Sequence, residues 1–319
     1  MISHYTPVHL VLFLVGIVVC LIVDLRAHSR DEAVSAASAL RWSLFWIGLS
    51  MLFAVYIFAT NGADDAALFL AGYGLEKSLS VDNLFVIMAI VSSFAVKEEY
   101  LHRVLYYGIV GALVLRLVFV AAGASLFAVL GPYAMTVFGI FVLWSAWKMW
   151  QESKKEHTEI EDYSNHWSVV WTRRFLPVHN KMSGHDFFVR VQEGTREVRK
   201  ATPLFLCLVV VEISDVMFAF DSVPAVIAIT HDPFLVYTSN VFAILGLRSL
   251  YFLLTAAKGK LSRLNQAVII ILVYVGLKML LDASGLLHLP PLVGLAVVVF
   301  FLCGGIAASY LWPVKEKKD

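Results

Sequence analysis

Four acidic residues stand in matched pairs within strongly apolar stretches of the sequence. Glu76 precedes Asp82 by six positions, and Asp215 precedes Asp221 by the same number. A charged side chain at the centre of a bilayer costs roughly 2.5–3.5 kcal/mol on insertion scales, and such groups are functional by default. The two pairs therefore predict a site for a cation.

Further oxygen donors accompany these pairs. Glu212 lies three residues before Asp215, so the two carboxylates share one face of a helix. The predicted metal ligands are the oxygens of Glu76, Asp82, Asn83, Glu212, Asp215 and Asp221, supported by Ser222 and Asn240. Histidine and cysteine do not belong to this set, and oxygen-only sites suit Mg²⁺, Ca²⁺ or Mn²⁺ better than zinc or copper. The residues alone predict a hard divalent cation and do not separate Mn²⁺ from Ca²⁺.

Two arginines, Arg116 and Arg248, stand in apolar segments that follow the two acidic pairs. Five acids against two arginines leave a formal charge of −3, which a dication would largely neutralise. We expect Lys148 and Lys278 to pair with the acids four residues later, Glu152 and Asp282. The alternative is that the arginines pair with the acids only to hold helices together.

The elements that must position these residues are membrane-spanning helices. Hydrophobic residues make up 60% of the 319 positions and charged residues 15%, far from the averages of soluble domains. Apolar runs of about 20 residues, the length that crosses a bilayer as a helix, recur along the chain. We predict an all-α polytopic membrane protein with about nine transmembrane helices, near residues 8–24, 43–60, 67–95, 106–130, 133–150, 203–229, 234–257, 264–282 and 292–312.

Within a single transmembrane domain, 1–319, the charged residues follow an internal repeat. Each half has an acid pair, an arginine in the next span, and a lysine followed by an acid near the end of the third span. The halves, 67–150 and 203–282, are separated by three crossings, so they have opposite orientations and the 292–312 span is an addition. Inverted 3+3 repeats of this kind place a transport site at the midplane where the halves meet.

A step of six residues rotates a regular helix by about 240°, so the two acids of a pair do not share a helix face. Convergence of both acids on one ion therefore predicts broken helices. Pro224 predicts a break in the sixth span, and the small residues of 72–80 predict one in the third.

Basic residues are confined to alternate loops, which places the N-terminus outside and the C-terminus in the cytoplasm. The long basic segment 151–201 is then a cytoplasmic loop, and it contains no catalytic motif. Within it, residues 187–198 alternate apolar and polar residues around Glu193 and Gly194, a pattern that predicts a β-hairpin.

Four segments carry long motifs: EKSLSVDNLFV at 76–86, TPLF at 202–205, the acidic segment 212–225 and SNVFAILGLRSLY at 239–251. These motifs closely resemble the TerC family, in particular its Alx-like branch. The likeness covers nearly the whole chain. It implies that the metal-site residues named above are the family's acidic motifs, and that Asp65 stands near a position where relatives often carry Glu. Members are named for tellurium resistance, and the resemblance implies manganese export in this branch.

We therefore expect a multi-pass transporter of the bacterial inner (plasma) membrane that exports Mn²⁺ in metal homeostasis and stress resistance. No nucleotide-binding motif is present, so the proton gradient is the expected driver and the proton the expected counter-ion. We expect no enzymatic activity, no cofactor and no nucleic-acid partner. Membrane lipid and the divalent metal cation are the expected partners.

Two alternatives remain open. The first is a Ca²⁺/H⁺ exchanger of the same architecture, since Ca²⁺ also accepts all-oxygen sites. The second is a membrane subunit of a tellurium-resistance or secretion complex that transports nothing. An intramembrane hydrolase is disfavoured, because no nucleophile or zinc-binding pattern accompanies the paired acids.

Overall fold

The computed structural model describes residues 7–27, 35–130, 132–154, 167–179, 182–193, 196–256, 264–286 and 289–311, and most of them are helical. The helices are α1 Pro7–Ala27, α2 Ala36–Asn61, α3 Ala63–Ser93, α4 Glu98–Leu130, α5 Pro132–Lys154, α6 Trp167–Phe175, α7 Pro203–Ile229, α8 Pro233–Ile244, α9 Leu247–Ala256, α10 Leu264–Ser284 and α11 Pro291–Leu311. Two strands, β1 Phe188–Glu193 and β2 Arg196–Ala201, complete the list.

The length and apolar composition of these helices make the chain an all-α polytopic membrane protein. Within the described residues, five helices are long and apolar enough to cross a membrane alone: α2, α4, α7, α10 and α11. Helices α8 and α9 count as a sixth span when taken together. The other predicted spans coincide with α1, α3 and α5, of which α3 carries the charges of the first motif. Nine crossings therefore stay a prediction.

The predicted helix breaks in the third and sixth spans are wrong. Helix α7 runs through Pro224 without interruption, and α3 is continuous across residues 72–80. The break lies instead in the seventh span, where α8 and α9 meet at Leu245 and Gly246 with a bend of 41°. Gly246 has a φ of +81°, a left-handed conformation that favours glycine.

Local signals explain where several helices begin. Helices α7 and α8 start with prolines, whose fixed φ suits the first helical position. The Asp232 carboxylate caps α8 by accepting hydrogen bonds from the amides of Phe234 at 2.8 Å and Leu235 at 3.4 Å. At α2, the Ser35 hydroxyl accepts from the Ser38 amide at 3.2 Å.

Helices of the two predicted halves pack closely against each other. Helix α3 packs on α7 and α8, and α4 packs on the same two helices. Helices α5 and α10 cross through Gly139 and Gly276, where a Cβ on either glycine would lie 3.1–3.3 Å from the other's carbonyl oxygen. These crossings bring the helices that carry the acidic motifs next to each other.

The segment before α7 forms a small structured unit at one end of α4. Strands β1 and β2 pair antiparallel, where the alternating pattern predicted a hairpin. Arg103 of α4 stacks on the Phe187 ring at 4.8 Å and lies 3.5 Å from the Asp186 carboxylate. Helix α6 was not predicted, and it packs on α7 through a buried face that includes Val169.

Candidate functional site

Arg116, at the middle of α4, is the centre of a buried polar network. Its side chain is only 1% exposed, and a buried guanidinium needs partners for its hydrogen-bond donors. One terminal nitrogen, Nη1, donates to the Glu76 carboxylate of α3 and to Asn240 Oδ1 of α8 at 2.7 Å. The same nitrogen donates to Ser222 Oγ of α7 at 3.2 Å.

The second terminal nitrogen of this guanidinium, Nη2, lies 3.5 Å from Asp215 Oδ1 of α7. The first acids of the two motifs, Glu76 and Asp215, therefore flank one arginine, although they are far apart in sequence. Glu76 is fully buried, and the Asp215 side chain is 16% exposed. Two carboxylates of the same sign are held together here because one cation lies between them.

Small residues let the helices of this network approach each other. A Cβ on Gly72 of α3 would lie 3.0 Å from Ser239 Oγ of α8 and 3.2 Å from a methyl group of Val226 in α7. The Ser78 hydroxyl donates to the Gly74 carbonyl at 2.7 Å and so satisfies its own donor within α3. The chain thus places α3, α7 and α8 around Arg116 without leaving room for larger side chains.

Glu212 lies one turn before Asp215, as predicted, but outside the arginine network. Its carboxylate packs directly against Gly111 of α4, in space that the Cβ of any other residue would fill. Glycine at this position therefore makes room for a half-buried acid beside the network.

Three carboxylate oxygens in this region have no hydrogen-bond partner among the described residues. They are Glu76 Oε2, Glu212 Oε2 and Asp215 Oδ2, and all are buried. Such oxygens can serve as ligands of a hard cation. No group of three acidic, histidine or cysteine side chains in the described part of the chain is arranged to hold a metal ion directly. In this arrangement Arg116 occupies the space between Glu76 and Asp215.

The second acids of the motifs, Asp82 and Asp221, lie within α3 and α7. Their side chains fall outside the described residues. Asn83 follows Asp82 on α3 and is half-buried. Arg248 is 2% exposed in the first turn of α9, directly after the break. Asp65 stands in the first turn of α3, about 16 Å along the helix axis from Glu76, so it is not part of the Arg116 network.

Sequence reasoning missed one cation of the site, Lys77. Its ammonium nitrogen donates to the Ala243 carbonyl of α8 at 3.1 Å, next to the Arg116 network. With Lys77 counted, the five acids stand against three basic residues, and the formal charge of the set falls from −3 to −2. Lys77 directly follows Glu76 in the motif, so the sequence could have indicated a lysine beside the acids.

A smaller polar cluster lies where α7 ends near α10. Lys278 forms the predicted ion pair with Asp282, at 3.9 Å, while the Glu152 side chain that was assigned to Lys148 lies outside the described residues. His231, in the connection after α7, is close to this pair. Burial lowers the pKa of His231, the Lys278 charge lowers it further, and Asp282 partly offsets both effects.

Comparisons with known proteins agree with this architecture. The chain is 44% identical to a tellurium resistance protein TerC of Serratia marcescens, over 97% of this chain and 95% of that protein. It is 40% identical to a putative membrane-bound redox modulator Alx of Escherichia coli (strain K12), over 90% of this chain and 89% of that protein. No solved structure matches the chain. The family model described as integral membrane protein TerC family matches residues 61–318, and the chain belongs to that family.

Proposed function

We propose that the protein is a secondary transporter that exports a divalent metal cation, with Mn²⁺ as its substrate, from the cytoplasm. The observation that carries this proposal is the convergence of Glu76 and Asp215, one acid from each motif, on the buried guanidinium of Arg116. A protein that only needed to pack its helices would have no use for further acids such as Glu212 beside that pair.

In the proposed mechanism, Arg116 holds the acids of the site while no metal is bound. An incoming dication competes for the same carboxylates, and the three buried oxygens without a partner supply ligands that the arginine does not use. Asp82 and Asp221 complete the all-oxygen set. When the metal leaves, the guanidinium returns to its carboxylates, which reduces the uncompensated negative charge of the empty site.

Alternating access follows from the proposed inverted repeat, in which α3–α5 correspond to α7–α10. The contact of α3 with α8 is then the counterpart of the contact of α4 with α7. The crossing of α5 with α10 brings together the third spans of the two halves. Rocking of one half against the other around Arg116 would open the site to each side of the membrane in turn.

Direction and driving force are part of the same proposal. In the proposed orientation the N-terminus lies outside and the C-terminus in the cytoplasm of a bacterial plasma membrane, which the distribution of basic residues over alternate loops supports. Carboxylates at the site would exchange protons for the metal, which couples export to the proton gradient. No enzymatic step is proposed.

Uptake of metal into everted membrane vesicles tests the proposal. We expect uptake of Mn²⁺ in preference to Ca²⁺, Mg²⁺ and Zn²⁺, and its loss when an uncoupler collapses the proton gradient. Uptake of Ca²⁺ alone would favour the exchanger alternative. Absence of uptake for every metal would favour a non-transporting subunit, a role that relatives named for tellurium resistance leave open.

Two variants then test the acids themselves. Asp82→Asn and Asp221→Asn each keep the shape of the side chain and remove one negative charge, so we expect near-complete loss of Mn²⁺ uptake with normal membrane insertion. Asp186→Asn is the control, because that carboxylate is 68% exposed beside the hairpin and should not affect uptake. Wild-type uptake in both site variants would mean that these acids are structural.

A further inference from the structure

Lys77 makes an unusual contact for a lysine within an apolar helix. Its ammonium donates to the backbone carbonyl of Ala243 at 3.1 Å, across the interface between α3 and α8. Among the described side chains, no carboxylate forms an ion pair with it. Among the described groups, the hydrogen-bond partner of this charge is therefore a helix backbone carbonyl.

The carbonyl that Lys77 contacts lies in the last turn of α8. Helix α8 ends at Ile244, and α9 begins at Leu247 after a bend. Carbonyls in the last turn of a helix lack amide donors from the same helix and carry the negative end of the helix dipole. A positive charge is the group that such a helix end binds most favourably.

The break is held in one geometry by its own packing. Gly246 takes a left-handed conformation, and a Cβ there would lie 2.5–2.8 Å from side-chain atoms of Trp46, which is 1% exposed. The same helix, α8, also carries Asn240, which binds Arg116. The end of α8 is thus a fixed carbonyl terminus directly beside the proposed transport site.

In transporters with broken helices, the C-terminal ends of half-helices and unwound carbonyls bind Na⁺ or a proton. We propose that the ammonium of Lys77 is a tethered substitute for such a monovalent cation at the end of α8. This inference rests on the proposed transport function. Because the Lys77 ammonium already lies at the end of α8, no free cation is required at the break. Transport by the wild-type protein should then be independent of Na⁺ and K⁺.

Removal of the side chain tests the inference by creating a vacant cation site. In Lys77→Ala, Na⁺, K⁺ or NH₄⁺ should bind at the end of α8, and a ligand that binds only the folded state stabilises it. We expect the unfolding midpoint of purified Lys77→Ala to rise by about 3 °C or more in 200 mM chloride of one of these ions, relative to choline chloride. The wild type and Lys148→Ala, which removes an exposed lysine from α5, should show no such difference.

The outcomes separate this inference from the transport proposal, because unfolding does not depend on metal uptake. If the three ions raise the unfolding midpoint of Lys77→Ala no more than that of the wild type, the inference is overturned, even if the wild type exports Mn²⁺. If Lys77→Ala does not fold, Lys77→Ser is measured in its place, since the serine hydroxyl adds a ligand for Na⁺. The same comparison of unfolding midpoints with the wild type then tests the inference. In vesicles, we expect Mn²⁺ uptake by the variant to require Na⁺ or K⁺.

Discussion

Removal of the central guanidinium gives the sharpest test of how the site is held together. Arg116→Ala deletes a group that contacts Glu76 of α3, Asp215 and Ser222 of α7, and Asn240 of α8. Truncation of one partner of a buried ion pair typically costs about 3–5 kcal/mol, because it leaves an uncompensated charge in the interior. We expect a loss of that size in the free energy of unfolding.

A second substitution in the same protein separates the charge from the packing. Glu76→Gln in the Arg116→Ala background removes the carboxylate that has lost its partner, since Glu76 is fully buried. We expect the double variant to be more stable than Arg116→Ala alone, and the coupling energy between the two substitutions to be about 0.5–3 kcal/mol in magnitude, as for residues in contact. Glu76→Gln alone should destabilise, because it removes one carboxylate partner of the buried Arg116 guanidinium.

The assay is a denaturant titration in mixed micelles, followed by circular dichroism. Arg103→Ala is the control on the same helix, because the Arg103 and Asp186 side chains are 35% and 68% exposed. Exposed ion pairs contribute about 0–1 kcal/mol, so this control should lose far less stability than Arg116→Ala. Equal losses for the two arginines, or strict additivity of Arg116→Ala and Glu76→Gln, would refute the reasoning.

Three further substitutions probe the surroundings of the site. Gly246→Ala places a Cβ in a left-handed conformation and should cost at least about 1–2 kcal/mol of stability, whereas Gly304→Ala, with open space around it, should be neutral or slightly stabilising. Gly111→Ala should lower Mn²⁺ uptake without loss of insertion, because its methyl group would displace the Glu212 carboxylate. Because the pKa of His231 is lowered in the folded state, the unfolded chain binds this proton more readily and stability falls as pH drops from about 7 to 5. His231→Gln should reduce that fall, measured as the difference between unfolding midpoints at the two pH values.

The sequence predicts the helices well because length and hydropathy are local properties. Every predicted span coincides with a helix or, in the seventh span, with the pair α8 and α9. The sequence also predicted one site that includes Glu76, Asp215, Ser222 and Asn240, because the proposed repeat aligned acids that lie in different helices. Arg116, named as a supporting residue, is their common partner.

The breaks could not be placed in this way, and the reason is geometric. The prediction assumed that both acids of one pair must turn toward the same point, which a regular helix does not allow. The structure instead combines one acid from each pair around a side chain from a third helix, α4, so α3 and α7 remain continuous. The contact of Lys77 with a backbone carbonyl has no signal in the sequence, because any residue at 243 would offer the same oxygen.

The shared arginine also sets an order for biogenesis. Arg116 enters the membrane with α4, but its amide partner, Asn240, follows 124 residues later along the chain. Until α7 and α8 have been synthesised, Glu76 is the one partner of this guanidinium present among the four that the structure describes. We therefore expect the first half alone to be less stable than the full chain, because the second half supplies the other three partners of a buried charge.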